Sequence, residues 1–573
     1  MQFGRGDWLN LKPAHARIEG STIRIDSLTL LNNGQRITLD GTISDDPGDA
    51  LHFDLLNVDL RNIDPFYEGP QLSGMVSGDG AVFDIRNTPK MFSYMCLDSL
   101  KVQEHPIGDL QFAAQWVDAK KAVDLSGVLS RGAIKALDFR GEISLKDDQE
   151  MDMELIMDRF DLGFIDPYLP KGISEIQGLV SGSIAVNGKL IDPQIAGELA
   201  LTNAGLRIDY LNTLYRFSHE LKVRPDMFAL DQVVVRDEEG HKAVINGTIQ
   251  HKGLKDWNFN VSGELDTMLV LNTDLSQNEL FYGKAYGTGD FELSAYAGNM
   301  EITVDAKTSP GTSIHLPLGG STDVSDIGFV QFVSGDSSDV EVRVVDLTGV
   351  TLDLNVEVTP DAMFELIFDP TVGDILRGRG TGNIEMSVDQ AGGLDMRGAV
   401  QVNEGDYLFT LRNVVNKRFQ IAPGGTITWF GDPLDAQLDL EAVYRLRAPL
   451  YDIMYEKNDV YRKRVPVDVT MRLKDRLLNP EIGFSVRLPT VDESIRTQVN
   501  SVLSTEQELN RQVFALIVMN RFVQPPNYTG AGSPGTGDLG ASATGFELMS
   551  NQVSNWLSPV SYTHLTLPTS DLV

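Results

Sequence analysis

Two runs near the carboxy end, Gly530-Ala-Gly532-Ser-Pro-Gly535 and Gly535-Thr-Gly537-Asp-Leu-Gly540, have the spacing of the turn that sets a dinucleotide pyrophosphate against a helix. That chemistry needs a strand before the glycines and a helix after them. Neither flank reads so here, and a proline stands inside the first copy. Acidic pairs such as Asp147-Asp148 and Glu238-Glu239 have the composition of a glycosidase acid and base, but among 81 Asp and Glu they are what a solvated surface carries. The 8 histidines are dispersed without ligand spacing, and no phosphate-binding loop, zinc-protease, serine-hydrolase or EF-hand motif occurs. The single cysteine, Cys96, sits between Met95 and Leu97 as a packed thiol and has no partner for an internal disulfide. The sequence offers no catalytic residue, no cofactor site and no metal site, and it points to a protein that is not an enzyme.

What remains is the scaffold itself. A formal charge of −33 repels phosphate backbones, and the 48 Lys and Arg are spread out, the densest group being Arg462, Lys463 and Arg464, so nucleic acid is excluded as a partner. A chain of 573 residues exceeds one compact core, and is either several domains or a repeat that grows along an axis. Apolar residues at 42%, charged residues at 23%, and 53 glycines to 25 prolines suit many short strands joined by tight turns.

Strict alternation is the strongest local signal. Leu352, Leu354, Val356 and Val358 alternate with Asp353, Asn355 and Glu357, while Leu438, Leu440, Ala442, Tyr444 and Leu446 alternate with Asp439, Glu441 and Arg445. Val465, Val467, Val469, Met471 and Leu473 repeat the pattern. Period two makes each strand wet on one face and dry on the other. On a larger scale, glycine pairs at Gly74/Gly78, Gly178/Gly182, Gly283/Gly287 and Gly378/Gly382 recur at intervals of roughly 100 residues, as stacked arrays do. Three of the four follow an Asp-Pro pair: Asp64-Pro65, Asp166-Pro167 and Asp369-Pro370. One segment, 508–522, reads as helix, with Leu509, Val513, Leu516 and Ile517 on one side, and a Gly, Ser and Pro-rich loop follows it over 525–545.

No run nears the ~18 apolar residues of a membrane span. The longest, Val513–Met519, falls well short, and the start, Met1-Gln2-Phe3-Gly4-Arg5, lacks the regions of a signal peptide. Residues 559–573 resemble the conceptual translation of a transposon-type sequencing adapter, which would interrupt the natural sequence near Ser558. A chain cut at one end can equally begin at an internal methionine, so missing targeting signals carry little weight.

The region 405–558 resembles the carboxy-terminal domain of the TamB family. The resemblance runs through Tyr407-Leu-Phe409, Phe419-Gln-Ile421, Gly424-Gly425-Thr-Ile427-Thr-Trp429, Gly431-Asp432-Pro433-Leu434-Asp435-Ala436 and Ala442-Val-Tyr444. It continues at Val465-Pro466-Val467, Leu478-Asn479-Pro480-Glu-Ile482, Phe484, Leu488-Pro489, Gln507-Glu508-Leu-Asn510-Arg511-Gln512-Val-Phe514 and Asn520-Arg-Phe522. Upstream, over 1–404, the likeness is one of repeat style, with units near 74, 178, 283 and 378. The resemblance implies a periplasmic protein of the AsmA-like group, anchored in the inner membrane when full length. It also implies an outer-membrane barrel partner of the BamA superfamily (TamA-like), and roles in outer-membrane protein assembly, protein secretion and lipid transport.

The expected fold is therefore all-β: an elongated, repetitive β-sheet groove, taco- or solenoid-like, with an apolar lumen and one short helix near the carboxy end. A sheet that curls lengthwise hides its dry faces by enclosing such a lumen. Leu352, Leu354, Val356, Leu438, Leu440, Val467, Val469, Ile482, Phe484 and Val486 are expected to line it as a groove for phospholipid or other apolar cargo, with Asp439 facing solvent. Closed β-sandwich packing of the same side chains is the competing arrangement. Two other functions stay open: a scaffold whose strand edges pair with nascent outer-membrane proteins, and a closed β-solenoid serving as a structural or adhesive surface protein.

Overall fold

A computed structural model describes residues 2–3, 6–10, 15–62, 71–103, 105–144, 150–168, 172–190, 192–252, 255–278, 281–296, 298–318, 349–369, 374–391, 393–411 and 415–525. Asp64-Pro65, the glycine-rich motifs of 530–540 and the segment 559–573 lie outside the described residues. The chain divides into two units, one of residues 1–270 with 288–303, the other of 271–287 with 304–573.

The first unit is an antiparallel meander in which every strand from Thr22–Asn32 to Lys255–Thr273 pairs with its sequence neighbours. The strands are longer than composition suggests: Ile173–Lys189 and Asp192–Ile208 each have 17 residues. The reason is that many glycines sit inside strands and not in turns. Gly74 and Gly78 lie within Leu72–Phe83, Gly178 and Gly182 within Ile173–Lys189, Gly283 and Gly287 within Tyr282–Tyr296, and Gly378 and Gly382 within Asp374–Val388.

A bulge recurs on alternate strands of this unit. Ser27, Asn57, Ser99, Arg159, Asn203, Gln232 and Thr267 are left-handed, with φ between 46° and 56°. At the first six the pairing register shifts. Each donates its backbone N–H to a side chain on the following strand: Asp40, Ser77, Asp109, Ser181, Ser218, Asn246 and Thr288, at 2.8 to 3.0 Å. An extra residue bends its strand and increases its twist, and the side-chain acceptor satisfies the N–H that the bulge removes from the ladder. Five of the acceptors are followed directly by glycine, as in Ser181-Gly182. Gly182 has φ +138°, and a Cβ there would stand 2.2 Å from the carbonyl oxygen of Glu198, so no other residue fits.

The second unit combines antiparallel pairing with parallel pairing, as where Ser313–Pro317 runs beside Met363–Asp369. Its last strands, Gln437–Pro449, Arg464–Arg476 and Glu481–Arg487, pair in order and are followed by two helices, α1 (Glu493–Val502) and α2 (Glu506–Met519). Helix α2 starts two residues before the expected 508–522, where the Thr505 hydroxyl accepts from the Glu508 N–H at 3.4 Å, and ends on left-handed Asn520. Helix α1 adds a second helix to the one expected. It is polar apart from Ile495, Val499 and Val502, too sparse a stripe to stand out in sequence.

Candidate functional site

Tracing directly opposed residues across the first unit gives one apolar row. It runs Leu30, Ile37, Leu55, Gly78, Met95, Phe112, Gly127 and Phe139, then Leu155, Ile184, Gly197, Val223, Phe228, Ile249 and Phe259. Every member is apolar or glycine. Opposed residues share a face, so this row is one continuous dry stripe, roughly 65 Å long measured strand by strand along the ladder. A parallel row two residues away begins Leu28, Leu39, Phe53, Gly80, Ser93, Ala114 and Leu125. Between them lies a wet row including Thr38, Asp54, Asp79, Ser126, Arg140 and Glu154.

Glycines keep the stripe smooth where a large neighbour lies across them. A Cβ on Gly127 would meet the Phe139 ring at 2.5 Å, and one on Gly80 would meet the Phe53 ring at 2.5 Å. Of the main row only Leu30 and Val223 are buried; the others keep part of their surface exposed. Short sequence windows do not reveal this row, because its members are joined only by cross-strand register; the signal within reach was the glycine-aromatic pairing.

The ten expected groove residues all lie in the second unit. Leu438, Leu440, Val467 and Val469 are 3%, 0%, 0% and 0% exposed, and Val356, Ile482, Phe484 and Val486 pack against the same cluster. Register joins Leu440 to Leu473 and Ile482, Tyr444 to Val469 and Val486, and Ala442 to Met471 and Phe484. Asp439 is exposed, as alternation requires. Leu352 and Leu354 are partly exposed on Val350–Val358, opposite Val388 and Met386. The buried cluster takes in Val499 of α1 and Val513, Phe514, Leu516 and Ile517 of α2, so the helices of this chain cover that part of the dry face.

A clasp secures α2. The fully buried Gln512 donates from Nε2 to the Val523 carbonyl (2.6 Å) and to Glu508 Oε1 (2.7 Å), and its Oε1 accepts from the Val523 N–H (2.9 Å). Trp429 Nε1 likewise donates to the Pro433 carbonyl at 3.1 Å, closing the turn before Gln437–Pro449. These bonds give structural roles to Gln512 and Trp429, residues on which the sequence resemblance rests.

Two carboxyls of the first unit are also ties. Burial opposes ionisation of Asp237, but the Leu269 N–H at 2.8 Å and His241 Nδ1 at 3.0 Å outweigh it, and the carboxyl is held below its ordinary range. Asp161 behaves alike: burial pushes it up, while the Gly163 N–H at 2.8 Å and Arg131 bring it down. His105 stands 3.5 Å from Asp161. Among the described residues no group of His, Cys, Asp and Glu is arranged to hold a metal, and no helix is long and apolar enough to cross a membrane.

Two family profiles match the chain, and their ranges do not coincide with the two units. The family profile for the TamB C-terminal domain matches residues 231–568, and that for the TamB N-terminal domain matches residues 6–201. No curated protein matches the chain.

Proposed function

Because the chain belongs to the TamB family, we propose that it works in the bacterial envelope without catalysis, guiding apolar cargo along its dry face. The observation that carries this reading is the partly exposed apolar row from Leu30 to Phe259. A lipid chain gains about 0.8 kcal/mol per buried CH₂, so a tail of about 16 carbons crossing water would cost on the order of 12 kcal/mol, most of which a continuous dry path removes.

In this reading phospholipid is the cargo, nascent outer-membrane proteins are the alternative client, and an outer-membrane barrel of the BamA superfamily is the partner. The full-length protein acts in the periplasm from an inner-membrane anchor. Leu352, Leu354, Val356, Leu438, Leu440, Val467, Val469, Ile482, Phe484 and Val486 serve the same purpose in the second unit. Leu440 and its buried neighbours meet cargo only when α1 and α2 withdraw.

The test places a photo-crosslinking residue at 155 (dry) or 154 (wet), and at 440 or 439, in cells whose phospholipid carries radioactive phosphate. Labelled lipid at 155 and not at 154 is expected. Equal or absent lipid signal at both positions overturns the lipid reading, and crosslinks to unfolded outer-membrane protein at 154 would favour the scaffold in its place. Signal at 440 over 439 would show that the dry face of the second unit also meets cargo.

A further inference from the structure

The first unit carries a second feature, on its wet face. Directly opposed residues there run Gln177, Gly205, Arg216, Arg236 and Lys242 before reaching Asp266. One step away on each strand is the dry row Ala204, Phe217, Val235, Ala243 and Leu265, so the polar set faces away from the apolar stripe. Three cations at directly opposed positions repel one another, and in a chain of net charge −33 they form a local exception.

At the head of this row lies an open recess of about 630 Å³, lined by His105, Asp161, Ile176–Leu179, Asn203 and Arg216. Gly205 leaves room beside it: a Cβ there would meet Gln177 Nε2 at 3.0 Å. The Gln177 Nε2 donor is buried and has no hydrogen-bond partner among the described residues. Arg216 is exposed and forms no ion pair among the described residues. Asp161, the one carboxylate among the lining residues, is already engaged by Arg131 and the Gly163 N–H.

We propose that this recess binds an oxyanion of the phosphate type, with the Arg216 guanidinium and Gln177 Nε2 as donors and Arg236 and Lys242 supplying longer-range attraction. A buried unpaired amide donor costs free energy until an acceptor arrives. A planar carboxylate is satisfied by a single arginine fork, whereas a tetrahedral anion uses donors from two directions, as Arg216 and Gln177 offer from neighbouring sides of Gly205. The anion is either a free phosphate or the phosphate ester of an amphiphile. This site is independent of the cargo reading, since it lies on the opposite face of the sheet.

The test titrates the full chain by ³¹P NMR with inorganic phosphate and, separately, with dihexanoylphosphatidylglycerol below its micelle concentration. Saturable binding is expected, weakened about tenfold in Arg216→Gln and several-fold in Gln177→Leu. Arg140→Gln, a wet-face arginine paired with Glu154, serves as the control and should leave binding unchanged. Equal affinity for the two probes identifies a free-anion site, and tighter binding of the ester identifies a headgroup site. No saturation with either probe, an unaltered affinity in Arg216→Gln, or an equal loss in Arg140→Gln overturns the proposal. Thermal melting checks that each variant folds, and Arg236→Gln replaces Gln177→Leu if the latter does not.

Discussion

The same deletion made in the two dry faces should have different costs. Leu155 belongs to the partly exposed row of the first unit, between Phe139 and Ile184, whereas Leu440 is 0% exposed within the helix-covered cluster of the second. Leu→Ala removes apolar surface worth roughly 0.8 kcal/mol per CH₂ when fully buried. At Leu440 a cavity term adds to this, giving about 3 to 4 kcal/mol. At Leu155 part of the surface is already wet and no closed cavity forms, so about 1 to 1.5 kcal/mol is expected. A chain of two units need not unfold in one step, so the assay is hydrogen exchange read by mass spectrometry on peptides spanning 438–446 and 151–160. The difference of about 2 kcal/mol should appear as a roughly 30-fold larger rise in the local opening constant for Leu440→Ala. Equal rises would refute the reasoning, because they would mean that Leu155 is as thoroughly covered as Leu440 and that the row is no open path.

Two further outcomes follow from the first unit. Gly182→Ala forces a Cβ to within 2.2 Å of the Glu198 carbonyl oxygen, and should cost well over about 1 kcal/mol in thermal unfolding; Gly132→Ala, left-handed but with nothing within 4 Å, should cost distinctly less. The depressed carboxyl of Asp237 contributes stability that is fully present above the ordinary value of 3.8 and is lost as the pH falls below it toward the folded-state value. Acid titration followed by exchange at the Leu269 amide should show protection failing in that window, and Asp237→Asn should remove the pH dependence while lowering protection at neutral pH.

Much of the local structure was legible in sequence. Alternation located the strands Val350–Val358, Gln437–Pro449 and Arg464–Arg476, and put Leu440 inside and Asp439 outside, because side-chain period two is a property of the extended backbone alone. The helix near 508–522 was visible from its apolar stripe, but α1 was not. The recurring glycine pairs were visible as a pattern while their role was not: they sit inside strands, where neighbouring carbonyls and aromatic rings leave no room for a Cβ.

The sequence by itself determined that the chain is all-β, that each strand has a dry face and a wet face, and that it carries no metal or nucleophile motif. Which residues of one strand oppose those of the next was decided only in the folded sheet. Bulges at Asn57, Arg159, Asn203 and Gln232 shift the register by amounts that no local window encodes, and their left-handed residues are held by side chains 14 to 22 positions away. Tertiary structure also decided which dry face is covered. Alternation treats Leu155 and Leu440 alike, and it is the packing of α1 and α2 that buries one cluster while the row through the first unit stays partly exposed.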